Sequence, residues 1–427
     1  MITKSIDVLV IGGGPAGLAA AVAAKEAGIN KLVIIERSDE LGGILNQCIH
    51  DGFGLEIFEE SLTGPEYIQR YIDMVEDLKV PYMTGSMVID IEFDKNTKNK
   101  LVYVTSSSGL IRYKTKAVIL CMGCRERTRG ALQIPGSRPA GILTAGVAQN
   151  FINLQNLMVG NEIVILGSGD IGMIMARRLT LEGAKVKAVV EILPYASGLP
   201  RNVVQCLEDY DIPLLLNHTV TNIKGKERVE AVTISKVDKD MNPIKGTDRK
   251  IKCDTLILSV GLIPENELSK KINVTLDDRT KGAVVTDDLE TTTPGVFACG
   301  NVLHVHDIVD WVTFEAEKAG TSAASYVKDL RKRKLTRRKA KKVEMIAGEG
   351  VRYVLPHYIR TNELKKLHLR VLEPARKVTI QIREGRKVYR QIKKPRVNPP
   401  EMITLKLKPK MFQEKQPQRK LIVEVIS

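Results

Sequence analysis

Ile6-Asp7-Val8-Leu9-Val10-Ile11-Gly12-Gly13-Gly14-Pro15-Ala16-Gly17 is an apolar run of strand character that ends in the pattern G-x-G-x-x-G. The stretch after it, Leu18 to Ala27, has helical character. Glycine permits the tight bend and lets backbone N–H groups approach a pyrophosphate at a helix N-terminus. Glu36, 24 residues past Gly12, closes the next apolar run. A carboxylate there accepts hydrogen bonds from an adenosine ribose and repels a 2′-phosphate.

The pattern occurs a second time. Glu162 to Leu166 is strand-like, Gly167-Ser168-Gly169-Asp170-Ile171-Gly172 repeats the fingerprint, Ile174 to Glu182 reads as a helix, and Glu191 again lies 24 residues past the first glycine. One chain is therefore expected to seat two dinucleotides, with the acids suiting FAD and NAD(H) ahead of NADP(H).

A length of 427 residues allows two or three domains and a large core. Six cysteines, at 48, 121, 124, 206, 253 and 299, are too sparse for a disulfide scaffold, so a reducing cytoplasmic setting is expected. The first apolar run is broken by Gly12 to Pro15 and reads as strand and turn, not as a leader. No uninterrupted apolar stretch approaches the roughly 20 residues that cross a bilayer. Membrane association is expected only peripherally, through a partner.

The net charge of +15 conceals a division: residues 331–427 carry 29 basic and 8 acidic side chains, a balance of +21, while the first 330 sum to −6. A separate basic C-terminal module follows, suited to docking an acidic protein or a membrane surface or to keeping the surface solvated. Aromatic residues are few among its charges, at Tyr353, Tyr358, Tyr389 and Phe412, so nucleic acid is not the expected partner.

Thr63-Gly64-Pro65-Glu66 opens a helix with a capping box, and residues 86 to 113 read as an inserted β-meander. β-like segments at 351–359, 367–372, 377–382, 402–407 and 421–426 suggest a small sandwich. The expected organisation is an FAD domain over 1–150 and 283–330, an NAD(P) domain over 151–282, a basic linker over 331–345 and a basic β-rich domain over 346–427.

These residues resemble the flavoproteins with two dinucleotide-binding domains, the superfamily of thioredoxin reductase, glutathione reductase and NADH oxidase. The resemblance covers roughly residues 5 to 330 and implies an α/β fold in which a Rossmann-like NAD domain is inserted in a Rossmann-like FAD domain. It assigns Gly12, Gly14, Pro15, Ala16, Gly17, Glu36, Arg37 and Gly43 to FAD. Gly167, Gly169, Asp170, Ile171, Gly172, Glu191 and Gly261 fall to NAD. Cys121-Met122-Gly123 stands where the family has an A-T-G-like turn, and Gly300-Asn301 where it has a G-D contact to the ribityl chain. Gly123 keeps the turn, and Asn301 still offers an oxygen and an NH2. Backbone at Val312 and Thr313, near a helix N-terminus, is expected to face the negative end of a reduced flavin. The stretches Gly42 to Gly54 and Gly300 to Asp307 look like a narrower branch, resembling the FAD/NAD subunits associated with glycerol-3-phosphate, proline and opine dehydrogenase complexes.

Cysteine placement bears on the reaction. Cys48 stands alone after Gly42-Gly43, where glutathione-reductase relatives carry C-x-x-x-x-C. The segment after Ile134-Pro135-Gly136, where thioredoxin reductases carry C-x-x-C, runs Ile142-Leu143-Thr144-Ala145-Gly146 without a thiol. Cys121 and Cys124 have C-x-x-C spacing but end a strand, so a buried structural pair competes with a redox pair. No metal site is expected, because no second C-x-x-C accompanies them. Cys48 and His304 are the catalytic candidates. His304, His306 and Asp307 either brace the loop after Asn301 or act near the flavin or a subunit junction. The expected activity is hydride exchange between NAD(P)H and FAD, with electrons passed to a partner dehydrogenase or electron-transfer subunit. The alternatives are a free-standing NADH oxidase or disulfide reductase and a non-catalytic assembly subunit.

Overall fold

Ile2–Ile11 (β1), Leu32–Ile35 (β2), Tyr82–Met83 (β3), Ser86–Phe93 (β4), Lys100–Ser106 (β5) and Gly109–Leu120 (β6) build the first sheet in the order β3-β2-β1-β6-β5-β4. The computed structural model describes every residue except 1, 95, 96, 98, 333–341, 362–364, 413–416, 418, 419 and 427. Val8 to Ile11 are buried between parallel neighbours, Val8 lying opposite Leu32 on one side and Ala117 on the other. A parallel strand covered on both faces requires such a continuous apolar run. Val296–Ala298 pairs in parallel with the C-terminal end of β6, and β4 and β5 supply the antiparallel meander.

Pro15–Glu26 (α1) starts with proline in its first turn, where the missing N–H has no intrahelical partner to lose. Its alanines allow close packing against the long helix Val309–Arg331. A Cβ on Gly320 would lie 2.1 Å from the Ala20 carbonyl, so only glycine admits that approach. The capping box at Thr63 is formed: the Thr63 hydroxyl accepts from Glu66 N at 3.4 Å and Glu66 Oε2 accepts from Thr63 N at 2.8 Å.

Residues 125–263 form one compact unit, and residues 1–124 with 264–427 form the other. Both boundaries fall earlier than the expected 151 and 282. Ile142–Thr144 pairs with Thr255–Leu258 and so belongs to the second sheet, while Ile272 and Val274 are buried in the core of the first unit. The second unit has a five-stranded parallel sheet with Glu162–Leu166 between Lys185–Val190 and Thr255–Leu258. A three-stranded antiparallel sheet accompanies it.

The basic C-terminal region is a sandwich of a five-stranded and a three-stranded sheet around its own apolar core. Val343–Ala347, inside the expected linker, is one of its strands, paired in parallel with Lys420–Ile426. Residues 333–341 of that linker lie outside the described residues. The sandwich is joined to the segment before Val296 by backbone bonds from Asp287 N to Tyr358 O and from His357 N to Val285 O, at 2.8 and 3.0 Å. Among the described residues no helix is long and apolar enough to cross a membrane.

Candidate functional site

The first fingerprint lies wholly within the first unit. Gly12 has φ +105°, and a Cβ there would meet the Cys121 carbonyl at 2.5 Å. A Cβ on Gly17 would sit 1.8 Å from the Gly12 carbonyl, so the turn closes only with glycine at both places. Gly14 precedes α1 and faces Gly43, whose φ is +59° and whose own Cβ would lie 3.0 Å from Gly14 Cα. Two backbones without side chains thus flank the N-terminus of α1, a cradle that fits a pyrophosphate. Ala16 and Val312 bound it from the other side, 2.8 and 3.3 Å from the position of a Cβ on Gly300, which has φ +73°. Gly123 also takes positive φ, +69°, in open space.

Glu36 is buried at the end of β2. Its Oε2 accepts from Gly13 N at 2.6 Å and its Oε1 from Ser38 N at 2.8 Å. Each oxygen retains a lone pair, the capacity that two ribose hydroxyls require. Arg37 is exposed beside it.

The second fingerprint lies wholly within the second unit and repeats this arrangement. A Cβ on Gly167, at φ +99°, would meet the Ser259 carbonyl at 2.1 Å, and one on Gly172 would meet the Gly167 carbonyl at 2.7 Å. Gly169 caps the helix Asp170–Leu181, with the half-buried Ile171 in its first turn. Glu191 Oε2 accepts from Ser168 N at 2.9 Å and Oε1 from Leu193 N at 3.0 Å, as Glu36 does from Gly13 and Ser38. The difference lies in two hydroxyls, Ser168 Oγ at 2.6 Å and Ser197 Oγ at 2.8 Å, both donating to Glu191 Oε2. Asp170 faces the following segment, accepting from Leu199 N at 2.7 Å and Asn202 Nδ2 at 2.6 Å. The Gly261 carbonyl accepts from Arg127 N at 3.2 Å. Glu191→Ala removes the charge that opposes a 2′-phosphate. It is expected to shift the NADPH-to-NADH ratio of kcat/KM upward by about tenfold, near 1.4 kcal/mol.

The candidate catalytic residues are buried. Cys48 donates to the Ile44 carbonyl at 3.3 Å, and burial pushes its thiol up to about 12, so it is protonated at neutral pH. Cys121 meets Cys299 and not Cys124: the two sulfurs are 3.5 Å apart at the ends of the adjacent strands β6 and Val296–Ala298. A hydrogen bond from Cys121 and burial raise the Cys299 thiol. Cys124 is half-buried and takes a bond from Asn301 Nδ2 at 3.7 Å. All six cysteines are thiols.

His304 is buried, with Nε2 3.1 Å from Glu315 Oε2 and Nδ1 3.3 Å from the Tyr353 hydroxyl. Burial, then the neighbouring His306, push its imidazole down to about 4. Burial alone would raise the Glu315 carboxyl, but His306 and His304 override it and hold it well below the usual range. Glu315 was not among the sequence candidates, though it lies only 11 positions from His304 on the next helix.

The Thr313 and Tyr67 hydroxyls are hydrogen-bonded to one another at 2.7 Å, and Val312 packs on Gly300. The helix begins at Val309 behind its cap residue Ile308, and the N–H groups of this first turn, which Val312 closes and Thr313 follows, are the ones without a partner inside the helix. Sequence reading also passed over Asp310, which is buried at this helix end. Its carboxylate accepts from Gly54 N, Glu56 N and Ile57 N at 3.2, 3.2 and 3.0 Å. Asp310→Ala leaves these donors without their anion and is expected to destabilise the fold by about 3 kcal/mol in urea unfolding, with Asp310→Asn recovering part of the loss.

Two fingerprints, each with its acid tied back to the turn, define an FAD-dependent NAD(P)H oxidoreductase built on two Rossmann-like domains. The chain belongs to the pyridine nucleotide-disulphide oxidoreductase family, whose profile matches residues 6–352. It is 26% identical over 338 residues to a thioredoxin reductase of Listeria monocytogenes, covering 77% of this chain and 96% of that one. It is 25% identical over 312 residues to an opine oxidase subunit of Agrobacterium tumefaciens, covering 69% and 61%. The crystal structure of T. acidophilum thioredoxin reductase superposes with a TM-score of 0.63 at 23% identity, covering 75% of this chain and 98% of that one. FAD and NAD(P)H are the cofactors of the family, and the Gly14–Gly43 cradle and the two anchored acids fit them.

Proposed function

We propose that the chain takes electrons from NADH into FAD and delivers them to a partner subunit of a dehydrogenase complex, with no thiol relay between. The burial of three candidate cysteines carries this reading: Cys48, Cys121 and Cys299 are 5%, 6% and 0% exposed, out of reach of a disulfide substrate, while the half-buried Cys124 faces Asn301. FAD, when bound, supplies the hydride and electron chemistry, so no protein nucleophile is required. The chain's own residues bind and orient the nucleotides: Glu36 and the Gly14–Gly43 cradle hold one, and Glu191 with the second fingerprint holds the other. A complex is supported by the likeness to a subunit of opine oxidase and by the basic sandwich, whose edge strand Lys387–Val397 exposes Lys393 and Arg396 to an acidic partner.

A competing disulfide-reductase reading draws on the likeness to thioredoxin reductase and on the 3.5 Å approach of Cys121 and Cys299. The two are separated by anaerobic bleaching of the flavin with NADH, followed by either a dye acceptor or an aromatic disulfide. The expected result is rapid dye reduction and no disulfide reduction. Turnover of the disulfide that disappears in a Cys121→Ser, Cys299→Ser variant would replace the first reading with the second. Failure of NADH to bleach the flavin would sink both.

A further inference from the structure

After Asn301 the chain turns back so that His304 and His306 face one carboxylate, Glu315, on helix Val309–Arg331. Glu315 Oε2 lies 3.1 Å from His304 Nε2 and 3.6 Å from His306 Nε2, and the side chains of His304, His306 and Glu315 are 1%, 2% and 8% exposed. The imidazole centroids are 4.0 Å apart. One ligand atom from each residue falls within 4.8 Å of the others.

The hydrogen bonds on the far side of each ring fix how it faces Glu315. Asn301 Oδ1 accepts from His306 N at 3.1 Å and lies 3.3 Å from His306 Nδ1, while Asn301 Nδ2 is turned toward Cys124 Sγ. An amide oxygen has no proton to give, so the His306 proton sits on Nδ1. Its Nε2, on the far side of the ring, faces the Glu315 carboxylate oxygen in a buried site, where either a second proton or a metal cation must lie between them.

His304 Nδ1 faces the Tyr353 hydroxyl, which itself accepts from Arg370 Nε at 3.1 Å and has its own proton to give to Nδ1, so a metal on Nε2 takes the place of the proton shared with Glu315. Glu315 Oε1 accepts from Gly300 N at 2.7 Å, leaving Oε2 to face the imidazoles. Ligand atoms turned inward, with their far sides anchored by a phenol, an amide oxygen and a backbone N–H, form the outer shell of a metal site.

We propose that His304, His306 and Glu315 bind a divalent metal ion of zinc character, which staples the loop after Asn301 to the long helix and, through Tyr353, to the sandwich. Two imidazoles and a carboxylate suit zinc, whose bonds of about 2.0–2.2 Å place tetrahedral ligands roughly 3.4 Å apart, close to the separations at Glu315 Oε2. The sequence reading expected no metal because it looked for paired C-x-x-C motifs, and these ligands come instead from a loop and the helix after it. The site is independent of the electron acceptor and of the proposed complex.

The test is elemental analysis of the purified flavoprotein after expression with supplemented zinc, followed by exchange to cobalt(II). About one metal ion per chain is expected, with visible cobalt bands of a low-coordinate nitrogen-oxygen site at wavelengths beyond the flavin. His306→Ala and Glu315→Gln are expected to abolish both signals. Tyr353→Phe, which keeps the ring, is expected to weaken zinc affinity by about 10–100-fold in competition with a chelator while FAD content is unchanged. Wild-type protein that holds its FAD but carries no stoichiometric metal, and shows no cobalt bands, overturns the proposal. In that case nitrogen-15 NMR would show His306 protonated on both nitrogens as an ion pair with Glu315.

Discussion

Asp287→Ala is expected to destabilise the protein by about 3–5 kcal/mol, because it strands buried cations. Asp287 is 1% exposed, and its carboxylate faces Lys365 Nζ at 2.5 Å and Arg360 at 3.0 Å, both cations from the C-terminal sandwich and both nearly as buried. Arg360 also touches Asp288. The ion pairs lie beside the backbone bonds that join the sandwich to the segment before Val296. Burial would raise the Asp287 carboxyl, but Lys365 and then Arg360 hold it below its ordinary value. A carboxyl depressed in the folded state contributes stability above its unfolded value of about 3.9 and loses it as pH falls through the folded value. Melting temperature plotted against pH should therefore fall on the acid side in the wild type, and this part of the fall should vanish in Asp287→Asn. A variant within about 0.5 kcal/mol of wild type at neutral pH would show that the cations find other partners.

Gly14→Val is expected to give a folded protein that does not retain FAD. Gly14 has ordinary extended backbone angles, φ −82° and ψ −172°, and the nearest atom to a Cβ there is Gly43 Cα at 3.8 Å. The chain therefore accepts the side chain without strain, and valine fills only the gap the pyrophosphate needs. Loss of those backbone contacts should weaken FAD binding by about a hundredfold or more, near 2.8 kcal/mol, read as the flavin-to-protein ratio and by titration with added FAD. Gly12→Ala is the contrasting change: positive φ and a carbonyl 2.5 Å away make it a folding defect. Full flavin occupancy in Gly14→Val would remove the cradle from the site.

The features legible in the sequence are those whose cause is local. The fingerprint turns, the Thr63 capping box and the meander follow from residues a few positions apart, and Glu36 and Glu191 announce themselves by spacing. The strand Lys387–Val397 was missed because charge hides its alternation and Pro395 interrupts it. As the edge of its sheet, paired on one side only, it tolerates both. The pairing of Cys121 with Cys299 was hidden because adjacent parallel strands bring together residues 178 positions apart, while the nearby Cys124 offered a misleading motif. Asp310 stands in the first turn of its helix, where an acid needs no further cause. Only the return of the loop at residues 54–57 onto it, over 250 positions away in sequence, gives it three backbone donors.

The contrast between Glu36 and Glu191 has a kinetic meaning. At Glu36 a ribose adds hydrogen bonds to lone pairs that are open, so every bond formed lengthens the stay of the bound nucleotide. At Glu191 the Ser168 and Ser197 hydroxyls already crowd one oxygen, and a ribose that needs both must exchange with Ser197. A ribose bound there would swap one hydroxyl for another, so we propose that NADH gains less from Glu191 than FAD does from Glu36. Two acids at matching positions thus differ in how much acceptor capacity their own chain leaves open.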